Sequence, residues 1–385
     1  MRILFLNYEY PPLGGGAANA TSYILREFSK IPGLEVDLVT SSHDNQYHLE
    51  NIGPNITIHK LPIGRKEKTL HFQSKKDLLV YSWKAYFFCR KLIWKNKYDL
   101  SHSFFSVPCG FLSWLFNVQY GIPYIISLRG ADVPGYSERF SSLYNFLKPL
   151  TKKIWKKAGF VVSNSKGLKE LALKTNPRQN IEIIYNGVDV KKFQPDVLSK
   201  NKDKFIITPG ASRVTARKGL NYLVEAVRQL SEKYPKVSLK IMGDGSDKDT
   251  LEKLSRDLGI KDKIEFLGRI PKDETAPYYR EASVFVLPSL NEGMSNAMLE
   301  ALATGLPILA TDTGGSRELV ENGENGFIVK MKDAGDIAKK IEALILDPRL
   351  RESMGVKSRE KAERLSWKRV ADKYLELYEK IQNKK

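Results

Sequence analysis

Short apolar runs rich in β-branched residues alternate with amphipathic stretches along the whole chain, a pattern that predicts parallel sheets joined by helical crossovers. In the first half the runs predict strands at Ile3 to Asn7, Glu35 to Thr40, Ile56 to Leu61, Leu100 to Phe104, Tyr124 to Leu128, Phe160 to Asn164 and Ile181 to Tyr185, with helices in the intervals. Residues 186–204, NGVDVKKFQPDVLSKNKDK, are dense in turn formers and charge and have little periodicity, so the domain boundary is expected there. A second series begins at FIITPGA, residues 205–211, and continues through VSLKIMG, KIEFLG, ASVFVLP, LPILAT and GFIV. The last stretch, LSWKRVADKYLELYEKI, places Val370, Tyr374, Leu375 and Tyr378 on one face of a helix that must cover something. The expected architecture is α/β: one doubly wound domain at 1–190, a second at 205–365, and a C-terminal helix at 366–385.

A chain of 385 residues, 42% of them apolar, buries a full core and is longer than most single α/β domains. The formal net charge of +18 points to a polyanionic partner, whether nucleic acid, an anionic membrane surface or a phosphorylated substrate. The two cysteines, Cys89 and Cys109, form no CxxC pair and no ligand cluster, so neither a disulfide framework nor a zinc site is expected, and a reducing, cytoplasmic setting fits. MRILFLNYEYPP reads as a buried first strand rather than a signal peptide. No uncharged run approaches the roughly 18 residues needed to cross a bilayer.

In open α/β sheets, ligands bind beyond the carboxyl ends of the strands, where loops enter helix N-termini with free N–H groups. The first strand runs into PPLGGGAAN, where Gly14, Gly15 and Gly16 precede a helix and offer N–H groups to an anion. The spacing is not GxGxxG, and a plain tight turn remains open. The segment 289–320, SLNEGMSNAMLEALATGLPILATDTGGSRELV, carries more. A strand ends, Glu292 and Gly293 lie in the loop, Ser295 or Asn296 caps a helix, and Gly305 followed by Pro307 ends it. Glu300 lies more than one turn from Glu292, so one carboxylate can reach each end of a ligand with hydroxyls at both ends and phosphates between.

These residues make the chain resemble retaining glycosyltransferases of family 4, also described as glycosyl transferases group 1, which have the GT-B fold: two Rossmann-like domains facing a central cleft, with a C-terminal helix crossing back to the first. The resemblance covers nearly the whole chain, and its most specific mark is the E-x7-E pattern in NEGMSNAMLEALATGLPI. It implies that Glu292 contacts hydroxyls of the donor sugar, that Glu300 contacts the ribose, and that Gly293, Met294, Ser295 and Asn296 line the sugar and diphosphate site. A second mark is GASRVTARKGLNYLVEA, where the resemblance assigns Arg213 and Lys218 to the diphosphate. Two fixed cations stabilise the charge that develops as the glycosidic bond breaks, without a metal or other cofactor. Gly268, Arg269 and Ile270 in FLGRIP match the family's nucleotide-base contact, or form a plain turn; Gly15 and Gly16, from their N–H groups, are expected on the donor side as well. The loops with Gly243 and Gly245 and with Gly314 and Gly315 resemble neighbours of that site, or are plain turns.

One departure stands out. Many members carry His-Gly-x-Asp at the transfer centre; this chain reads SLRGADVPGY, so Arg129 replaces the His and only Gly130 and Asp132 match. Arg129 cannot exchange protons near neutral pH. It binds a phosphate of donor or acceptor, or it bridges to Asp132. His102, ending another strand, is expected to be a satisfied structural histidine.

The resemblance therefore implies same-face transfer from a nucleotide-diphosphate sugar to a hydroxyl of a glycan or lipid-linked acceptor, with interdomain closure excluding water. The acceptor belongs to the first domain, which carries most of the charge excess. Residues 75–97 interleave cations with Trp83, Tyr86, Phe87, Phe88 and Trp94, and residues 148–159 repeat the mixture, as helices lying on an anionic leaflet do; sheet-covering helices with solvated lysines fit as well. Cell-surface polysaccharide or glycolipid synthesis at the cytoplasmic membrane face would suit such an enzyme. The rivals are a nucleotide-sugar epimerase, a phosphorylase and a catalytically dead nucleotide-sugar-binding protein. A nucleic-acid partner is not expected, because charge alone suggests it and no binding motif supports it.

Overall fold

The computed structural model describes residues 1–64, 73–136, 141–196, 204–210 and 213–383, with the side chains of 141–146 left aside. The chain divides into two compact units, Met1–Asn186 with Trp367–Lys385, and Gly187–Ser366.

The first unit is built on β1 (Arg2–Leu6), β2 (Glu35–Ser41), β3 (His48–Ile52), β4 (Ile56–Leu61), β5 (Leu100–Phe104), β6 (Tyr124–Leu128), β7 (Phe160–Ser163) and β8 (Glu182–Ile183). They form one sheet in the order β3-β4-β2-β1-β5-β6-β7-β8. The ladders are parallel except that between β3 and β4. β1 is central because its apolar run is buried on both faces, with Ile3 to Leu6 fully covered. The order reverses between β1 and β5, so the crevice of this sheet opens beside the loop that leaves β1. β3 has no counterpart in the sequence-based expectation. Its residues, HLENI, are mostly exposed on an edge, and such a strand needs little apolar alternation.

The C-terminal helix Trp367–Gln382 belongs to this unit. It buries Val370, Tyr374, Leu377, Tyr378 and Ile381 in the same core as β1 and the helix Gly16–Phe28, and Trp367 stacks on Tyr23 at 5.1 Å between ring centroids. Residues 384–385, included in the expected helix, lie outside the described residues.

The second unit carries β9 (Phe205–Thr208), β10 (Val237–Met242), β11 (Ile264–Gly268), β12 (Val284–Leu287), β13 (Ile308–Thr311) and β14 (Gly326–Val329), in the order β11-β10-β9-β12-β13-β14 with parallel ladders. Its order reverses between β9 and β12. The loops leaving those two strands hold the most specific motifs of the sequence.

The stretch expected as a linker from 186 to 204 differs from that expectation in its first part, and 197–203 lies outside the described residues. Phe193 is buried, Arg359 donates to the carbonyls of Val190 and Phe193 at 2.9 Å each, and Arg280 donates to that of Lys192 at 2.9 Å. The turn formers here serve to bend a strap that packs on the second unit, and its one large apolar residue is the anchor.

Candidate active site

At the reversal point of the second unit, β12 ends at Leu287 and the chain turns through Ser289, Glu292 and Gly293 into the helix Asn296–Ala303. Ser295 caps that helix, its Oγ accepting from the Met298 N–H at 3.3 Å. Ser295 and Met294 are buried, and Gly293 and Asn296 are partly exposed. The loop is tied to the two beside it. Leu290 N–H donates to the carbonyl of Arg217 at 2.8 Å, Gly315 N–H to that of Gly293 at 3.2 Å, and Thr311 Oγ1 to that of Ser289 at 2.5 Å. Gly314 sits at φ +48°, and a Cβ there would run into the carbonyl oxygen of Glu292. The two motifs and the DTGG turn thus form one rigid cluster.

Within it, the Lys218 ammonium is bonded to Glu292 Oε2, with side chains only 10% and 11% exposed, and Ser289 Oγ lies 3.4 Å from the same oxygen. Lys218 reaches this place because a short helical turn, Ala216–Lys218, follows β9 and its loop. The sequence assigned Lys218 and Glu292 to different parts of the donor; here they are direct partners.

Glu300 is buried one turn into the helix Asn296–Ala303. Its Oε2 accepts from the Tyr279 hydroxyl at 2.9 Å, and its Oε1 lies 3.2 Å from Lys272 Nζ. Neither Tyr279 nor Lys272 stood out in the sequence. Lys272 had one usable signal, its position two residues after Ile270 in the FLGRIPK segment. Tyr279, fully buried among Gly210, Phe285 and Phe193, had none. A carboxylate has about four lone-pair positions, so each glutamate, held by its lysine, keeps capacity for ligand hydroxyls.

Arg213 is half-buried, and the two residues before it lie outside the described set. The next residue, Val214, is fixed by the MGDGSD turn: it donates to the Asp244 carbonyl and accepts from Asp247, both at 3.1 Å. Gly243 N–H donates to the carbonyl of Gly268 at 2.6 Å, which joins that turn to the end of β11, where Arg269 is exposed and Ile270 partly so.

In the first unit, Gly15 and Gly16 open the helix Gly16–Phe28, as expected, but a side chain already sits at the loop. Glu9 Oε2 accepts from Gly15 N–H at 3.3 Å. Arg129 forms no bridge to Asp132 among the described residues, which corrects that alternative. Its guanidinium donates to Asn186 Oδ1 at 2.9 Å and to the Tyr374 hydroxyl at 3.1 Å, and lies 3.6 Å from the ring centroid of Phe104. Its Nε is buried without a partner. Asp132 instead closes a turn: its carboxylate accepts from the N–H groups of Arg129, Gly130 and Ser106 and from Ser106 Oγ, at 2.8 to 3.1 Å. Burial raises the Asp132 carboxyl, and those hydrogen bonds oppose the rise. Burial likewise pulls Arg129 below its ordinary value, against the pull of Tyr374 and Asp132. His102 is satisfied on both nitrogens, by Tyr378 at 2.7 Å and Ser127 at 2.8 Å, and burial holds it well below its usual pKa.

Residues 14–192 match the family signature "Glycosyltransferase Family 4" and residues 189–361 that of "Glycosyl transferases group 1". The chain belongs to this family of glycosyltransferases, and its two parallel-sheet α/β domains are those of the GT-B fold. It is 27% identical to an uncharacterised glycosyltransferase of Methanocaldococcus jannaschii over 99% of each chain. Among solved structures, sucrose-phosphate synthase from Thermosynechococcus elongatus superposes with a TM-score of 0.87, at 23% identity over 100% of both chains. Anabaena HepE in complex with UDP-glucose gives 0.75, at 18% identity over 98% of each.

Proposed function

We propose that this glycosyltransferase moves a sugar from a nucleotide-diphosphate sugar to an acceptor hydroxyl with retention of configuration and without a metal. The observation that carries this reading is the pair of lysine-held glutamates, Lys218 with Glu292 in the loop before one capped helix and Lys272 with Glu300 in the middle of it. Glu292 positions the sugar hydroxyls and Glu300 the ribose. Arg213 and Lys218 take the charge of the departing diphosphate, and the N–H groups around Asn296 face it. Met294, Gly293 and Ser295 line the sugar, and Gly268, Arg269 and Ile270 flank the base. The acceptor oxygen bonds to the anomeric carbon on the face from which the diphosphate leaves, and its proton passes to a phosphate oxygen. A UDP-sugar is the preferred donor, in keeping with the UDP-glucose in the HepE complex.

The test is a thermal-shift screen of UDP-, GDP- and ADP-sugars on the wild type, Glu300→Ala and Arg213→Ala. One donor class should raise the wild-type midpoint, and both variants should lose most of that response. A wild type that answers to none, or variants that answer equally, overturns the site.

The acceptor reading rests on the helix Lys75–Lys95. Leu79, Trp83, Phe87 and Trp94 are 71%, 69%, 41% and 90% exposed on one face, beside the exposed cations Lys76, Arg90 and Lys91, while Tyr81, Ala85 and Cys89 face the core. A solvated helix seldom presents such a stripe, and an anionic leaflet complements it. A lipid-linked acceptor at the cytoplasmic membrane face would then be within the enzyme's reach. Of the expected aromatics, Tyr86 is spent on stacking against Phe116, and Phe88 packs on His59. The second stretch, 148–159, does not present its Trp155, which is fully buried and donates to Ser106 Oγ at 2.8 Å. Its exposed lysines leave it a sheet-covering helix.

A further inference from the structure

The first unit holds a cluster remote in sequence from every residue given a role above. The ligand atoms of His43, Asp44 and His48 lie within 4.8 Å of one another, in the loop that joins β2 to the edge strand β3. Asp44 is oriented before any ligand is considered: its Oδ1 accepts from Ser42 Oγ at 2.7 Å and from Gln46 N–H at 2.9 Å. His48 Nε2 lies 2.9 Å from both carboxylate oxygens, and His43 Nε2 lies 3.7 Å from Oδ2. Those separations bracket the donor-to-donor edge of about 3.4 Å that a tetrahedral ion with bonds near 2.0–2.1 Å requires. His43 is otherwise under-used. Its Nε2 is too far from Asp44 for a hydrogen bond, and its Nδ1 is buried with no partner. A partly buried ring with Nε2 turned toward a shared carboxylate oxygen, yet outside hydrogen-bond range of it, is what a cation between the two would explain; the buried Nδ1 on the other side of the ring is not satisfied by that ion.

We propose that His43, Asp44 and His48 bind one divalent transition-metal ion of the zinc, cobalt or nickel type. Two imidazoles and one carboxylate suit these ions over magnesium or calcium, which demand more oxygen ligands. Ser42 and Gln46 supply the outer hydrogen bonds that fix the carboxylate. The ion ties the loop after β2 to the first residue of β3, and so fastens an edge strand with little apolar surface of its own. It takes no part in sugar transfer, and the inference does not depend on the donor site.

The full chain, stripped with chelator and dialysed, is titrated with Co²⁺ while its visible d–d absorption is followed, and then with Zn²⁺ in competition. A saturable band at one equivalent, displaced by Zn²⁺, is expected. His43→Ala, His48→Ala and Asp44→Asn should each weaken binding by about tenfold or more. Zn²⁺ should slow amide exchange across residues 42–48 in the wild type only. Three variants keep the test open should one of them fold poorly, which the unfolding midpoint reports. No saturable band, or variants that bind as the wild type does, overturns the proposal; the second result would place the ion on other histidines.

Discussion

The Lys218 ammonium and the Glu292 carboxylate, 74 positions apart in the chain, are bonded to one another in a setting that leaves each side chain about one-tenth exposed. Removing either partner strands a charge that solvent reaches poorly, whereas removing both does not. Lys218→Ala and Glu292→Ala should therefore each lower the unfolding midpoint. The double variant should lose less than their sum, by about 0.5–3 kcal/mol in a double-mutant cycle. Additive losses would mean that the pair is incidental.

Gly314 and the Glu292 carbonyl make a second test of the same cluster. An alanine there faces both a backbone clash and a left-handed φ of +48°, while Gly323, at φ +88° with nothing within 4 Å of a Cβ, faces only the second problem. Gly323→Ala should cost about 1–2 kcal/mol. Gly314→Ala should cost clearly more, and it should blunt the thermal response to the nucleotide sugar because the loop bearing Glu292 must move. Equal losses in stability at the two sites would show that the loop yields freely.

The parallel strands were legible because their apolar runs are buried on both faces, as at Ile3 to Leu6 and Phe285 to Leu287. β3 was not, since HLENI sits on an edge and pays almost nothing for its polarity. In the site, Ser295 and Glu292 were readable from spacing around a helix start. Tyr279 was not, and Lys272 only through its place just after FLGRIP, because their contacts with Glu300 depend on how β11 and the helix Ala276–Glu281 are packed, which no local pattern encodes. The bridge from Arg129 to Asp132 was misjudged for a similar reason: Asp132 is engaged by backbone N–H groups and Ser106 Oγ, and the Arg129 partners Asn186 and Tyr374 lie 57 and 245 positions away.

His102 gives the fold a pH dependence of definite sign. Burial depresses its pKa in the folded chain well below 6.5, and the nearby Arg129 adds to the effect. Below pH 6.5 the unfolded chain takes up a proton that the folded chain refuses, so stability falls as the pH drops toward the folded value. One such group contributes a slope of up to about 1.4 kcal/mol per pH unit. In denaturant melts between pH 7 and 5, wild type minus His102→Gln should show a stability difference that shrinks on acidification. A difference constant with pH would mean that His102 titrates alike in both states.

The outward face of the helix Lys75–Lys95 separates membrane docking from simple solvent exposure. Leu79, Trp83 and Phe87 fall at successive turns and Trp94 two turns further on, all on one face, so a plane laid along the helix meets all four, and the cations beside them meet lipid phosphate. Trp83 also packs edge-on against Phe87, at 4.8 Å between centroids, so its removal disturbs that ring, whereas Trp94 is almost entirely in solvent. Trp94→Ser should accordingly leave the unfolding midpoint within about 0.5 kcal/mol of wild type. It should nonetheless reduce co-sedimentation with vesicles of phosphatidylglycerol and phosphatidylcholine, and Trp83→Ser with Trp94→Ser should reduce it further. Wild-type binding should fall as salt rises and should be lost on pure phosphatidylcholine, because the cations contribute only where the surface is anionic. Wild type that ignores the anionic vesicles, or variants that bind them equally well, would remove the helix from the acceptor side and leave its aromatic stripe without a role at a membrane.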